Sequence, residues 1–170
     1  TQAHDIYATR RNLNLSGLES SRIGSSANVS PATYVKTFGM KYSDSNTLLH
    51  ANTCTSGGLV YAIPYDADVV LEIDPDTRAL MLFGRVGGDP CKWYGGVLAP
   101  NGKIYTIPYA SPYVLEIDTE RRIARPFAMT YPHWAKWSGG VLAPNGKIYG
   151  IPALSKSVLE IDVEKEQTSL

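Results

Sequence analysis

What the sequence lacks sets its first limits. Two cysteines in 170 residues cannot build the disulfide framework of a small secreted scaffold, so cysteine usage leaves the redox compartment open. No apolar run comes near the roughly 20 residues that a helix needs to cross a bilayer, so no membrane span is expected. Neither sign of charge is in excess: sixteen basic side chains face sixteen acidic ones. Without a net field there is no bulk attraction to nucleic acid or to anionic lipid. A Ser-His-Asp spacing, a phosphate loop and a Cys/His metal cluster are also missing, so no cofactor, metal or catalytic set is expected. The chain begins at Thr1 rather than Met, which reads as a processed chain or a piece of a longer one. Residues 1–30 hold Arg10, Arg11 and Arg22 among many Ser and Asn, without the apolar stretch of a secretory signal. The tail of a cleaved organellar presequence is the remaining targeting reading, against which Asp5 and Glu19 weigh.

What is present is repetition. Apolar residues make up 44% and charged ones 19%, a globular composition on a length of about one domain. Ile-Pro recurs at 63, 107 and 151, and Val-Leu-Glu-Ile-Asp begins at 70, 114 and 158. Both markers step by 44, and two independent markers with one spacing define an internal repeat. Gly95 to Ile107 and Gly139 to Ile151 differ only at Thr106 and Gly150.

Each copy parses into four short strands. The first ends before Asn101-Gly102 or Asn145-Gly146, with Gly57-Gly58 at the same place in the first copy. Asn-Gly predicts a two-residue type I′ hairpin, with positive φ at both residues. The second strand ends on the Ile-Pro marker, where the missing proline N–H costs least. Val-Leu-Glu-Ile-Asp is the third strand, and Asp74, Asp118 and Asp162 are expected to cap the turn that follows. Arg78–Phe83 and Arg122–Phe127 are the fourth strands. Four strands in about 44 residues predict an all-β, β-propeller-type fold of four-stranded antiparallel blades. A β-solenoid is the alternative, disfavoured by its shorter coils and by the hairpin signals. Gly95-Gly96 and Gly139-Gly140 are expected where inner strands approach closely, while the identity of Lys103 and Lys147 suggests recent duplication only.

The pattern W-x-G-G-V-L-A-P-N-G-K-I-Y-x-I-P followed by V-L-x-I-D, carried by Trp93–Pro108 with Val114–Asp118 and by Trp137–Pro152 with Val158–Asp162, resembles repeats found in proteins of protists, including algae. More distantly it looks like the blades of streptogramin lyase and NHL-type propellers. The likeness covers residues 47–165 and implies a fold, not an activity.

The organisation expected is an extended arm over 1–33, an outer strand within 34–46, and repeats over 47–90, 91–134 and 135–170. The third copy is expected to stop where its fourth strand should begin, with Tyr34–Gly39 as an outer strand that completes a blade. Three blades are too few to close a ring. The open faces then require a second copy in a six-bladed pair, the rest of a longer propeller, or another protein subunit.

One side of the blades is expected to gather the second-to-third loops and the connections between blades. That side holds Tyr65, Asp66, Asp68, Arg85, Asp89, Cys91, Lys92, Tyr109, Tyr131, His133, Trp134 and Lys136. His133 beside aromatics and Lys136 suits a peptide or anion, or general acid–base work; packing explains Trp137 and Trp93. The inner-strand positions Tyr94-Gly95-Gly96-Val97 and Ser138-Gly139-Gly140-Val141 lack the hard oxygen ligands of metal-dependent propeller hydrolases. Cys54 and Cys91 stand about 20 Å apart along the strand register, beyond disulfide reach. The function expected is a non-catalytic binding or scaffold module, an accessory subunit of a larger assembly. The rivals are a lyase or hydrolase working at His133 with Asp66, Asp68 or Asp89, and a lectin-like propeller, which the unequal loops disfavour.

Overall fold

The computed structural model describes residues 49–54 and 57–170. The 1–33 arm and the 34–46 outer strand lie outside the described residues. Twelve strands follow in order: β1 Leu49–Cys54, β2 Val60–Pro64, β3 Val70–Ile73, β4 Leu80–Phe83, β5 Trp93–Leu98, β6 Ile104–Pro108, β7 Tyr113–Asp118, β8 Ile123–Met129, β9 Trp137–Leu142, β10 Ile148–Pro152, β11 Leu159–Asp162 and β12 Gln167–Ser169. They form three antiparallel four-stranded sheets, each in sequence order, with equivalent strands one repeat apart. These are the blades expected from the 44-residue step.

Alternation along the strands gives every blade two apolar faces, and the core is the set of seams between them. Tyr61, Ile63 and Val70 of blade 1 pack with Trp93, Ile104, Leu115 and Ile117 of blade 2. One repeat on, Val97, Tyr105, Ile107 and Val114 of blade 2 meet Trp137, Ile148, Leu159 and Ile161 of blade 3. Burying each such side chain contributes about 1.5–3 kcal/mol, so the seams are where stability is concentrated. Isoleucine inserts at a glycine in both. A Cβ on Gly96 would lie 2.9 Å from Ile63 Cδ1, and one on Gly140 would lie 2.6 Å from Ile107 Cδ1.

The glycine pairs divide their labour. Gly96 and Gly140 allow the close approach, whereas Gly95 (φ 91°) and Gly139 (φ 75°) adopt backbone that side chains disfavour. Gly95 sits where the β5–β6 register shifts between Trp93 and Gly96.

Three expectations need correction. The Asn-Gly hairpins are not type I′: Gly102 has φ 78°, but Asn101 is not among the residues with positive φ. Gly102 N–H donates to Ala99 O at 3.0 Å, and Ala99 N–H to Lys103 O at 2.9 Å. Pro100 and Asn101 therefore form the corners of a type I turn, closed by a left-handed glycine. Asn101 earns its place through its side chain, which accepts from Lys103 N–H at 3.1 Å and donates to the Tyr105 hydroxyl at 2.9 Å.

Second, Lys103 and Lys147 do have a physical role. Lys103 Nζ donates to Glu116 Oε1 at 2.9 Å, and Lys147 Nζ to Glu160 Oε1 at 2.6 Å. Tyr105 and Tyr149 hydroxyls donate to the other oxygens of those carboxylates. In blade 1, Leu59 stands at the lysine position. Glu72 receives Tyr61 at 2.9 Å and, from the neighbouring blade, Arg122 at 3.1 Å. Each blade thus neutralises one Glu held near its middle.

Third, the third copy does not lack a fourth strand. Gln167–Ser169 pairs with Glu160–Asp162, and Thr168 Oγ1 donates across to Met129 O of blade 2 at 2.8 Å. The other outer strands begin later than expected, because Arg78 (φ 63°) and Arg122 (φ 54°) take left-handed backbone that a strand cannot contain. Asp74, Asp118 and Asp162 each accept a backbone N–H two or three residues on, which accounts for their recurrence as turn caps.

Candidate binding face

The connections between blades are held by a relay of main-chain hydrogen bonds. Lys92 N–H donates to Tyr65 O at 2.8 Å, and Tyr109 N–H to Lys92 O at 2.9 Å. Lys136 N–H then donates to Tyr109 O at 3.0 Å, and Ala153 N–H to Lys136 O at 2.9 Å. Cys91 (φ 58°) and Ala135 (φ 53°) are the repeated left-handed residues that turn the chain into this relay. Cys91 carries a free thiol.

This relay positions two groups of side chains. In the first, Tyr65 and Tyr109 lie with ring centroids 5.9 Å apart, and Trp134 stands edge-on to Tyr109 at 5.4 Å. Tyr94 completes the cluster at 6.0 Å from Tyr65 and 6.1 Å from Tyr109. Tyr65 and Tyr109 are buried and Trp134 is exposed, so the tyrosines form the floor and the indole the surface. Tyr94 was missing from the expected set. It lies on an inner strand rather than in a loop, yet its ring packs with the loop tyrosines.

In the second group, Tyr131 and His133 border an open depression of about 330 Å³ with Leu154, Ser155, Lys156 and Ser157. The Tyr131 and Ser155 hydroxyls lie 2.9 Å apart. His133 Nδ1 is 2.8 Å from Trp134 O. A carbonyl can only accept, which puts a proton on Nδ1. Among the described residues His133 forms no ion pair with a carboxylate. Asp66 instead accepts from Cys91 N–H at 2.7 Å, and Asp68 pairs with exposed Arg85 at 3.4 Å.

Lys136 departs from the expectation of an accessible cation. It is fully buried, and its ammonium donates to Ser111 O at 2.8 Å and His133 O at 3.0 Å, with Tyr109 O at 3.5 Å. Burial pulls its pKa down to about 8. A loop position read from sequence does not reveal a side chain that turns inward to gather carbonyls. Lys136 is a structural tie beneath the face.

The comparisons with known proteins place this geometry in the β-propeller class. No protein-family model matches the sequence, and no curated protein is similar enough to match it. Among solved structures, the chain is similar to virginiamycin B lyase from Staphylococcus aureus at TM-score 0.58 and 16% identity, over 71% of this chain and 40% of that one. Kuenenia stuttgartiensis hydrazine synthase aligns at TM-score 0.58 and 16% identity, over 79% of this chain and 38% of that chain. A streptogramin B lyase aligns at TM-score 0.57 and 13% identity, over 68% of this chain and 38% of the other. The chain spans about two-fifths of the length of these structures, and the likeness is one of fold.

Proposed function

We propose that the chain is a non-catalytic binding and scaffold module, an accessory element of a larger protein assembly. One observation supports this above others. Val97, Ile107 and Val114 are buried against blade 3, at 9%, 0% and 0% exposure. Their counterparts Val141, Ile151 and Val158 are 55%, 50% and 50% exposed, with Leu154 beside them at 66%. Contiguous apolar surface built to seam specification is the mark of an interaction site. Trp134 and the depression at His133 offer a second, smaller surface beside it.

The rival reading, a lyase- or hydrolase-type site at His133, draws on the depression and on neighbours named as lyases. Against it stand a ring tied to Trp134 O and the engagement elsewhere of Asp66 and Asp68, two of the three candidate carboxylates.

The test is the native mass of the particle that holds the chain in its own cells. It is expected to lie well above that of one chain, and Ile151→Asp is expected to release a folded monomer. A wild-type particle of single-chain mass would overturn the proposal.

A further inference from the structure

The half-exposed face of blade 3 carries enough detail to describe its occupant. Val141, Tyr149, Ile151 and Val158 repeat Val97, Tyr105, Ile107 and Val114 residue for residue. That earlier set is covered by a surface of known composition: Trp137, Ile148, Leu159 and Ile161, with Gly140 beneath Ile107. The same requirement holds one seam earlier, where Ile63 lies over Gly96. The main-chain relay adds a polar condition. Tyr65 O accepts from Lys92 N–H and Tyr109 O from Lys136 N–H. The residue at the next such step is Ala153, which is exposed. In both covered seams the donor lysine is followed directly by the tryptophan and, three residues after that, by the glycine that receives isoleucine.

A second copy of this chain does not meet these conditions. Its first blade is the one that would meet this face in a six-bladed pair, and there strand pairing sets Asn52 opposite Ala62 as Gly96 is set opposite Thr106. Leu49 and Asn52 therefore stand at the register of Trp93 and Gly96, and in the sequence the 44-residue step sets Leu48 where Lys92 stands. Lysine, tryptophan and glycine are all replaced.

We infer that the Val141/Ile151/Val158 face docks a propeller blade outside residues 1–170, one whose inner strand reads Lys-Trp-x-Gly-Gly, with its second glycine under Ile151 and its lysine N–H on Ala153 O. This rests on the accessory-module reading above. It selects a heterologous seam, continuous in chemistry with the two inside the chain, over a self-paired ring.

The experiment places a photoreactive amino acid at position 151 of the full chain within its native particle and maps the adduct. The result expected is a cross-link to a Trp-x-Gly-Gly strand outside residues 1–170. A cross-link to residues 49–54 of a second copy, or to a segment without that strand, overturns the inference while leaving the accessory role standing. No adduct from a particle of many chains overturns it as well; a particle of single-chain mass removes the accessory role itself. A purified variant gives an independent check. Leu49→Trp combined with Asn52→Gly restores two of the three missing residues, and the double variant is expected to self-associate at least about tenfold more tightly than wild type. Adding Ile151→Asp is expected to cancel the gain. Unchanged self-association in a folded double variant counts against the glycine and tryptophan requirement.

Discussion

Lys92 and Lys136 occupy the same place one repeat apart, yet their surroundings differ in charge. Burial depresses the pKa of Lys92, but Asp66, Asp89 and Asp68 pull it back toward the charged form. At the corresponding positions around Lys136 stand Ala110, His133 and Pro112, and burial alone sets its pKa near 8. The unfolded chain holds that proton up to the ordinary lysine value of 10.5. Between pH 8 and 10.5 the unfolded state therefore binds more protons, and stability rises with pH across the window. Tyrosines reverse the slope higher up, since burial foremost pushes Tyr105 to about 12, and a folded state that keeps its proton loses ground above pH 10. Thermal melts of the full chain are expected to show a rise from pH 8 to 10 that Lys136→Met makes distinctly shallower. An unchanged rise in that variant would show that the buried ammonium is not its source.

Within the strands, the decisive feature is the glycine on which isoleucine rests. Gly140→Ala would place its Cβ 2.6 Å from Ile107 Cδ1 and 2.9 Å from Tyr149 O, and backbone cannot retreat as a side-chain tip can. The expected cost is about 1–3 kcal/mol in urea melts, partly recovered by adding Ile107→Val. Gly88→Ala, with nothing within 4 Å, is the control expected to change stability by under about 0.5 kcal/mol. Strand order, blade number and the close approach of these glycines were legible because alternation and turn punctuation are local and recur every 44 residues. Other features were not. Pro100 and Asn101 select a type I turn through backbone that the dipeptide Asn-Gly alone does not specify. The role of Lys103 depends on Glu116, which reaches it only after two strands have paired in register. β12 is written Gln-Thr-Ser, polar throughout, and becomes a strand by pairing with β11 rather than by its own pattern. On the candidate face, the loop set was legible as a set, but the inward turn of Lys136 and the membership of Tyr94 are tertiary facts.

For the molecule as a whole, the seams divide equivalent residues into inner and outer members. Ile107 and Ile151 share strand position and neighbours in sequence, but one is sealed and the other half-exposed. Ile107→Ala is expected to cost about 2–5 kcal/mol, and Ile151→Ala under about 0.5 kcal/mol in the isolated chain. Chemical denaturation of the two purified variants measures the difference directly. Equal losses would mean that something within the chain already shields the face of blade 3.

The reuse of one seam has a consequence for how such a stack knows its size. Blade 2 offers blade 3 the same valine, tyrosine, isoleucine and valine that blade 3 offers onward, so adhesion between neighbours contains no instruction to stop. The tally of sheets around an axis must then come from the wedge angle at which each leans on the last, a matter of shape and not of recognition.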